Sequence, residues 1–190
     1  MILPIRAFGD AVLRKHCHEI DKDYPGLNEL ISNMFETMES AHGIGLAAPQ
    51  IGLDIRLFIA DLSPLAEDED YADIADELKD FKKVFINAKI LEESGEEWKF
   101  NEGCLSIPDI REDVKRKETI VIEYYDENFV KHTDTFSDMR ARVIQHEYDH
   151  IEGILFTDHL SSLKKKLVKG KLVKISHGDV AVNYKMRFPK

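Results

Sequence analysis

The sequence predicts an α+β fold in which a mixed, largely antiparallel β-sheet packs around a central helix carrying His146 and His150. Three observations point there. Residues 55–60, 83–91 and 119–125 are β-branched or alternating runs of strand length. Two longer segments repeat their apolar residues at helical spacing, and Asp126-Glu127-Asn128 supplies turn chemistry between neighbouring strand-like runs. With 190 residues, 43% of them hydrophobic and 33% charged, the chain has the size and balance of one domain spanning 1–190.

Asp10 is placed to cap a short turn over 11–15. Leu27, Leu30, Ile31, Met34, Phe35 and Met38 then repeat at i, i+3, i+4 and i+7, which predicts a helix over 27–41 with one buried stripe, stopped by Gly43. A glycine-bearing stretch follows at 43–52, and then the strand at 55–60. Glu67, Asp68, Glu69, Asp70, Asp73, Asp76, Glu77 and Asp80 make 63–80 an acidic insert, read as a solvated surface excursion with a short amphipathic helix. Residues 119–136 read as a hairpin, and Ser137 as the cap of the next helix. That helix carries Met139, Val143, His146 and His150 on one stripe and stops near Gly153.

Acidic residues outnumber basic ones by 36 to 26, a formal charge of −10, which argues against nucleic acid bound across a broad face. No apolar stretch reaches bilayer length, so no membrane partner is expected. The start, Met1-Ile2-Leu3-Pro4-Ile5-Arg6, lacks the pattern of a secretory signal, and the expected location is the cytoplasm. The two cysteines, Cys17 and Cys104, do not make a disulfide scaffold under those conditions.

The chemistry is concentrated in Gln145-His146-Glu147-Tyr148-Asp149-His150. In this H-E-x-x-H sequence two imidazoles four residues apart reach one metal ion, and the intervening glutamate sits beside a bound water. A catalytic metal normally takes three protein ligands, so the third one defines the enzyme class. A protease of the H-E-x-x-H-x-x-G-x-x-H kind needs histidine where Phe156 stands, and no glutamate follows Glu152, although Asp158 and His159 remain as downstream candidates. Upstream, Cys104 in Glu102-Gly103-Cys104-Leu105-Ser106 offers a thiolate, which with two imidazoles suits zinc or ferrous iron.

Together with Gly43-Ile44-Gly45-Leu46-Ala47-Ala48-Pro49-Gln50, these two segments resemble, in the same order, the signature of bacterial peptide deformylases. The resemblance covers nearly the whole chain. It implies that Cys104, His146 and His150 hold the metal, with water in the fourth position. It also implies a substrate, the N-formyl-methionyl end of a nascent polypeptide, from which metal-bound hydroxide releases formate. Glu147 would then be the general base and acid, while Gln50 and the backbone N–H of Leu105 hold the oxyanion. Gly45 would pair with the substrate as an added strand, with Ile44, Phe100, Met139 and Val143 as pocket candidates and Arg111 as a peptide contact. The expected ion is Fe2+ in the cell, with Zn2+, Ni2+ or Co2+ taking its place in purified protein, and the expected state is a monomer. The insert at 63–80 is longer than the loop of compact family members, so contacts near it do not transfer.

Other chemistry-bearing residues read as structural. His16-Cys17-His18 cannot easily converge on one tetrahedral ion, and His42, His132, His159 and His177 stand alone. Arg116 is a candidate partner for Asp149. In the basic C-terminal segment, 161–190, Lys164, Lys165, Lys166, Lys169, Lys171 and Lys174 read as a solvated helix face, with ribosome docking as the functional alternative.

Overall fold

The apolar stripe after Tyr24 does form a helix in the computed structural model, which describes residues 1–189. This helix, α1 (Leu27–Ser40), buries Leu27, Ile31, Met34 and Met38. Its stop differs in detail from the expected one. His42, not Gly43, takes the left-handed conformation (φ 55°), and Gly43 closes the turn by donating its N–H to the Met38 carbonyl at 2.9 Å. Asp10 caps a short 3-10 turn, Ala11–Arg14, accepting from the Val12 N–H as expected.

The main sheet holds β2 (Gly45–Ala47), β3 (Leu57–Asp61), β4 (Lys82–Cys104), β5 (Ile107–Tyr125) and β6 (Lys131–Ser137), side by side in that order and all antiparallel. A separate parallel pair joins β1 (Ile5–Arg6) to β7 (Met186–Arg187), so both ends of the chain meet. Strands β4 and β5 run far beyond 83–91 and 119–125. Register shifts near Ile90, Ser94 and Gly103 break the two-residue period, and the dense charge over 92–118 hides the strands from a periodicity argument. A two-residue tip, Leu105-Ser106, connects them where Cys104 faces Ile107.

The turn at 126–128 forms as expected, with Asp126 Oδ1 accepting from the Asn128 and Val130 N–H groups at 2.9 Å. Helix α3 (Asp138–Ile151) follows β6, but Ser137 does not cap it. The Ser137 hydroxyl bonds Thr119 across the sheet at 2.9 Å, and Asp138, itself left-handed (φ 55°), accepts from the Arg140 N–H instead. At the other end Gly153 adopts φ 75°, and a Cβ there would meet the Arg14 carbonyl oxygen at 2.7 Å, so the stop requires glycine.

The acidic insert is more ordered than a solvated excursion. It winds through 3-10 turns at Ser63–Glu67 and Glu69–Ile74 into α2 (Ala75–Leu78), buries Leu78, and lays Leu65, Tyr71 and Ile74 on the core with its carboxylates outward. Helix α4 (Ser162–Ser176) buries Val168 and Ile175 and exposes Leu163, Leu167 and most of its lysines. Among the described residues no helix is long and apolar enough to cross a membrane.

Candidate active site

Helix α3 lies against β2, β3 and β5, and its 3.6-residue period turns His146 and His150 toward the β4–β5 tip. Cys104, His146 and His150 each offer one donor atom there, all within 4.8 Å of one another, and Cys104 Sγ stands 3.3 Å from His150 Nε2. Donors bound tetrahedrally at about 2.0 to 2.3 Å from a shared ion stand roughly 3.3 to 3.8 Å apart; the Cys104–His150 pair lies in that range and the other separations exceed it by no more than about 1 Å, so small side-chain adjustments suit the cluster to such an ion. His146 Nδ1 is engaged by Glu102 Oε2 at 3.0 Å, which leaves its Nε2 for a metal.

Glu102 sits at the centre of a buried charged network. It receives Arg116 Nε at 2.8 Å and Nη2 at 3.0 Å, and Arg142 Nη1 at 2.8 Å. Arg116 donates on to Asp149 at 2.8 Å, the pairing expected from sequence, and His159 meets the same Asp149 oxygen at 2.7 Å. Burial alone would raise the Glu102 pKa, but hydrogen bonds from His146 and Arg116 hold it well below the usual carboxylate range. The network therefore keeps a carboxylate aimed at His146. Sequence reasoning assigned Glu102 no role, although one signal was present: Arg142 precedes His146 by one helical turn and shares its face.

Glu147 is buried beside the cluster, and its Oε2 has no hydrogen-bond partner among the described residues. Burial pushes its carboxyl up to about 7, the range in which a group both accepts and returns a proton near neutral pH. Room for it comes from Gly45, where an added Cβ would lie 2.4 Å from Glu147 Oε1. Gly45→Ala is expected to push the carboxylate aside and lower kcat by about 10²-fold, the scale of a misplacement near 1 Å, read as turnover at unchanged metal content.

Gln50 follows β2 in a 3-10 turn, Ala48–Ile51. Its Oε1 accepts from the Ala47 N–H at 2.8 Å, which orients its amide nitrogen toward Ser106 Oγ at 3.3 Å and Cys104 Sγ at 3.5 Å. Strand β2 is an edge of the sheet. The Asp61 N–H donates to the Ile44 carbonyl, so the next pair, Gly45 opposite Ala60, is a non-hydrogen-bonded one, and the Gly45 N–H and C=O point to the free edge.

A cleft of about 830 Å³ opens over these groups. Ile44, Gly45 and Gln50 line it from one side and Phe100, Met139 and Val143 from another; Leu105 and the exposed Arg111 also border it. Residues Ala181 to Tyr184, which gave no signal in the sequence, line it as well. Asp158 and His159 do not reach the cluster: Asp158 accepts the Leu155 N–H and pairs with Arg14, while His159 is held by Asp149. They are thereby removed as alternative ligands. Cys17 lies in the core with its thiol pushed up to about 11 by burial, and His16 pairs with Glu152 at 2.7 Å, so 16–18 is structural.

A three-donor cluster beside a buried glutamate, under an open cleft with a free strand edge, is the arrangement of metal-dependent hydrolases that bind an extended peptide. Residues 2–166 match the family model described as polypeptide deformylase. A peptide deformylase of Christiangramia forsetii is 63% identical over 190 residues, covering 100% of this chain and 97% of the relative. Among solved structures, the peptide deformylase of Thermus thermophilus superposes with TM-score 0.79 at 38% identity, covering 92% of this chain and 98% of the other. That of Legionella pneumophila gives 0.79 at 35% identity, covering 94% and 98%. The chain belongs to the peptide deformylase family of enzymes, whose reaction is removal of the N-formyl group from nascent peptides.

Proposed function

We propose that the chain acts as a single catalytic domain in the cytoplasm, as a monomer, hydrolysing the formyl group from N-terminal formyl-methionine and releasing formate. The observation that carries this reading is the cluster of Cys104, His146 and His150 beside Glu147, at a cleft that Gly45 of the edge strand β2 also lines. Those three residues would hold one divalent ion. When bound, such an ion lowers the pKa of a coordinated water toward about 7 and polarises a carbonyl. The donor set accepts several first-row metals, and supply rather than affinity decides between them; Fe2+ is the proposed ion in the cell, with Zn2+, Ni2+ or Co2+ entering purified protein.

The substrate backbone adds to β2 at Gly45, and the methionine side chain enters the wall of Ile44, Phe100, Met139 and Val143. Arg111, on the rim, meets residues further along the peptide. Glu147 takes the proton of the attacking water and returns it to the departing amine. The Gln50 amide and the Leu105 N–H donate to the oxygen of the former formyl carbonyl, each such donor being worth about 10²- to 10³-fold in rate.

The decisive assay is formate release from formyl-Met-Ala-Ser by anaerobically purified protein, with the acetylated peptide as control and metal analysis alongside. Formate from the formyl peptide alone, with metal near one per chain, supports the reading. No formate from metal-loaded protein overturns it.

The exposed lysines and leucines of α4 suit docking on a ribosome. Reversing Lys165, Lys166 and Lys169 to glutamate is expected to abolish co-sedimentation with ribosomes at low salt and leave turnover of free peptide unchanged. Truncation is a poor test, because Ile175 and the residues behind it pack on the body of the molecule.

A further inference from the structure

The family match ends at residue 166, yet the chain continues through α4 and comes back to the cleft. Past Gly178, residues Ala181 to Tyr184 border the cleft before β7 pairs with β1. This return is fixed in register: the Ile5 N–H donates to the Lys185 carbonyl at 2.8 Å and the Ala7 N–H to that of Arg187 at 2.9 Å. The next residue on that side, Phe8, donates its N–H to the Ser106 carbonyl at 2.8 Å. From the other side the Tyr184 hydroxyl donates to the Leu105 carbonyl, also at 2.8 Å. Both residues of the β4–β5 tip are thus gripped by opposite ends of the chain, and those ends are tied to each other.

We propose that Tyr184 is a positioning residue for the reaction: by holding the Leu105 carbonyl it fixes the two-residue tip, and so the direction of the Leu105 N–H. The inference rests on the deformylase reading, in which that N–H is a donor to the oxyanion. Tight two-residue connections have few internal restraints beyond their flanking strand bonds, and Gln50 reaches only side chains here, Ser106 Oγ at 3.3 Å and Cys104 Sγ at 3.5 Å. Among the described residues Tyr184 is the side chain that restrains the Leu105 backbone. It acts through Leu105 and needs no contact with the ion or the reacting carbon.

The test compares the parent with Tyr184→Phe, which keeps the ring and removes one hydroxyl, both loaded with the same metal and assayed on formyl-Met-Ala-Ser. A tenfold fall in kcat is expected, with KM changed by less than about twofold, since ground-state binding at Gly45 and in the methionine pocket is untouched. Amide hydrogen exchange, read on the same samples, should quicken over 104–108 and stay constant in β1 and β7. Metal content should stay equal. An unchanged kcat overturns the proposal. So does faster exchange throughout β1 and β7 with loss of metal, which marks the hydroxyl as merely structural. Failure of the deformylase reading is visible separately, as a parent protein that releases no formate, and it takes the proposal with it.

Discussion

Glu147→Gln is expected to lower formate release by about 10³-fold while the protein keeps its metal, the middle of the range for removing a general acid–base group. Glutamine preserves the size of the side chain beside Gly45, where an added Cβ would touch the carboxylate, so the packing of α3 on β2 is retained. What disappears is the capacity to take a proton and give it back. Because the carboxyl is buried and pushed up to about 7, the native group is matched to that exchange near neutral pH. Cys104→Ala provides the contrast, with metal and activity lost together because the cluster falls from three donors to two. Metal analysis and formate assay on both variants separate the two roles. Activity within tenfold of the parent in Glu147→Gln would falsify the assignment.

Removing Glu102 is expected to have the largest effect on stability. Arg116 and Arg142 are only 7% and 2% exposed, and Glu102→Ala leaves both with an uncompensated share of charge, a change that typically costs about 3 to 5 kcal/mol. His146 also loses the acceptor of its Nδ1, and loss of such a support typically lowers metal affinity 10- to 100-fold. Urea unfolding and chelator competition measure the two effects. The pH dependence has a definite sign. The folded pKa of Glu102 is depressed below its ordinary 4.5, so its contribution is complete above that pH and drains away as the carboxylate is protonated in acid. The gap between parent and variant should therefore narrow as pH falls from about 5 toward 3.

Reading the sequence reached the two histidines of the cluster because their geometry is local. A four-residue spacing on a helix puts two imidazoles on one face whatever the rest of the fold does, and α1 and α3 were legible for the same reason. Cys104 was a candidate third donor from its thiol chemistry, while Gln50 was reached through the resemblance. Geometry set by pairing was hidden. Nothing in the charged run 92–118 announces that β4 and β5 continue until Cys104 meets Ile107 at a tip. The cap of α3 passed from Ser137 to Asp138 because Thr119, distant in sequence, takes the serine hydroxyl. Glu102 escaped notice because its partners lie on other elements, Arg116 on β5 and Arg142 and His146 on α3, and Tyr184 because its neighbour Leu105 lies far back along the chain.

The pairing of β1 with β7 also bears on how the molecule is made. Synthesis is vectorial, so the donors, the H-E-x-x-H helix and the five-stranded sheet are all available before Met186 and Arg187 are added. Strand β1 has to wait for a partner that lies far behind it in the chain. Contacts between such distant positions close late and slowly, since the chain entropy of joining them is lost before any contact compensates for it. A growing chain can thus bring Cys104, His146 and His150 together before β7 is made, yet the hold of Tyr184 on Leu105 closes only once that later segment has followed. Newly made copies should bind the ion first and reach full turnover afterwards, in a separate and slower phase.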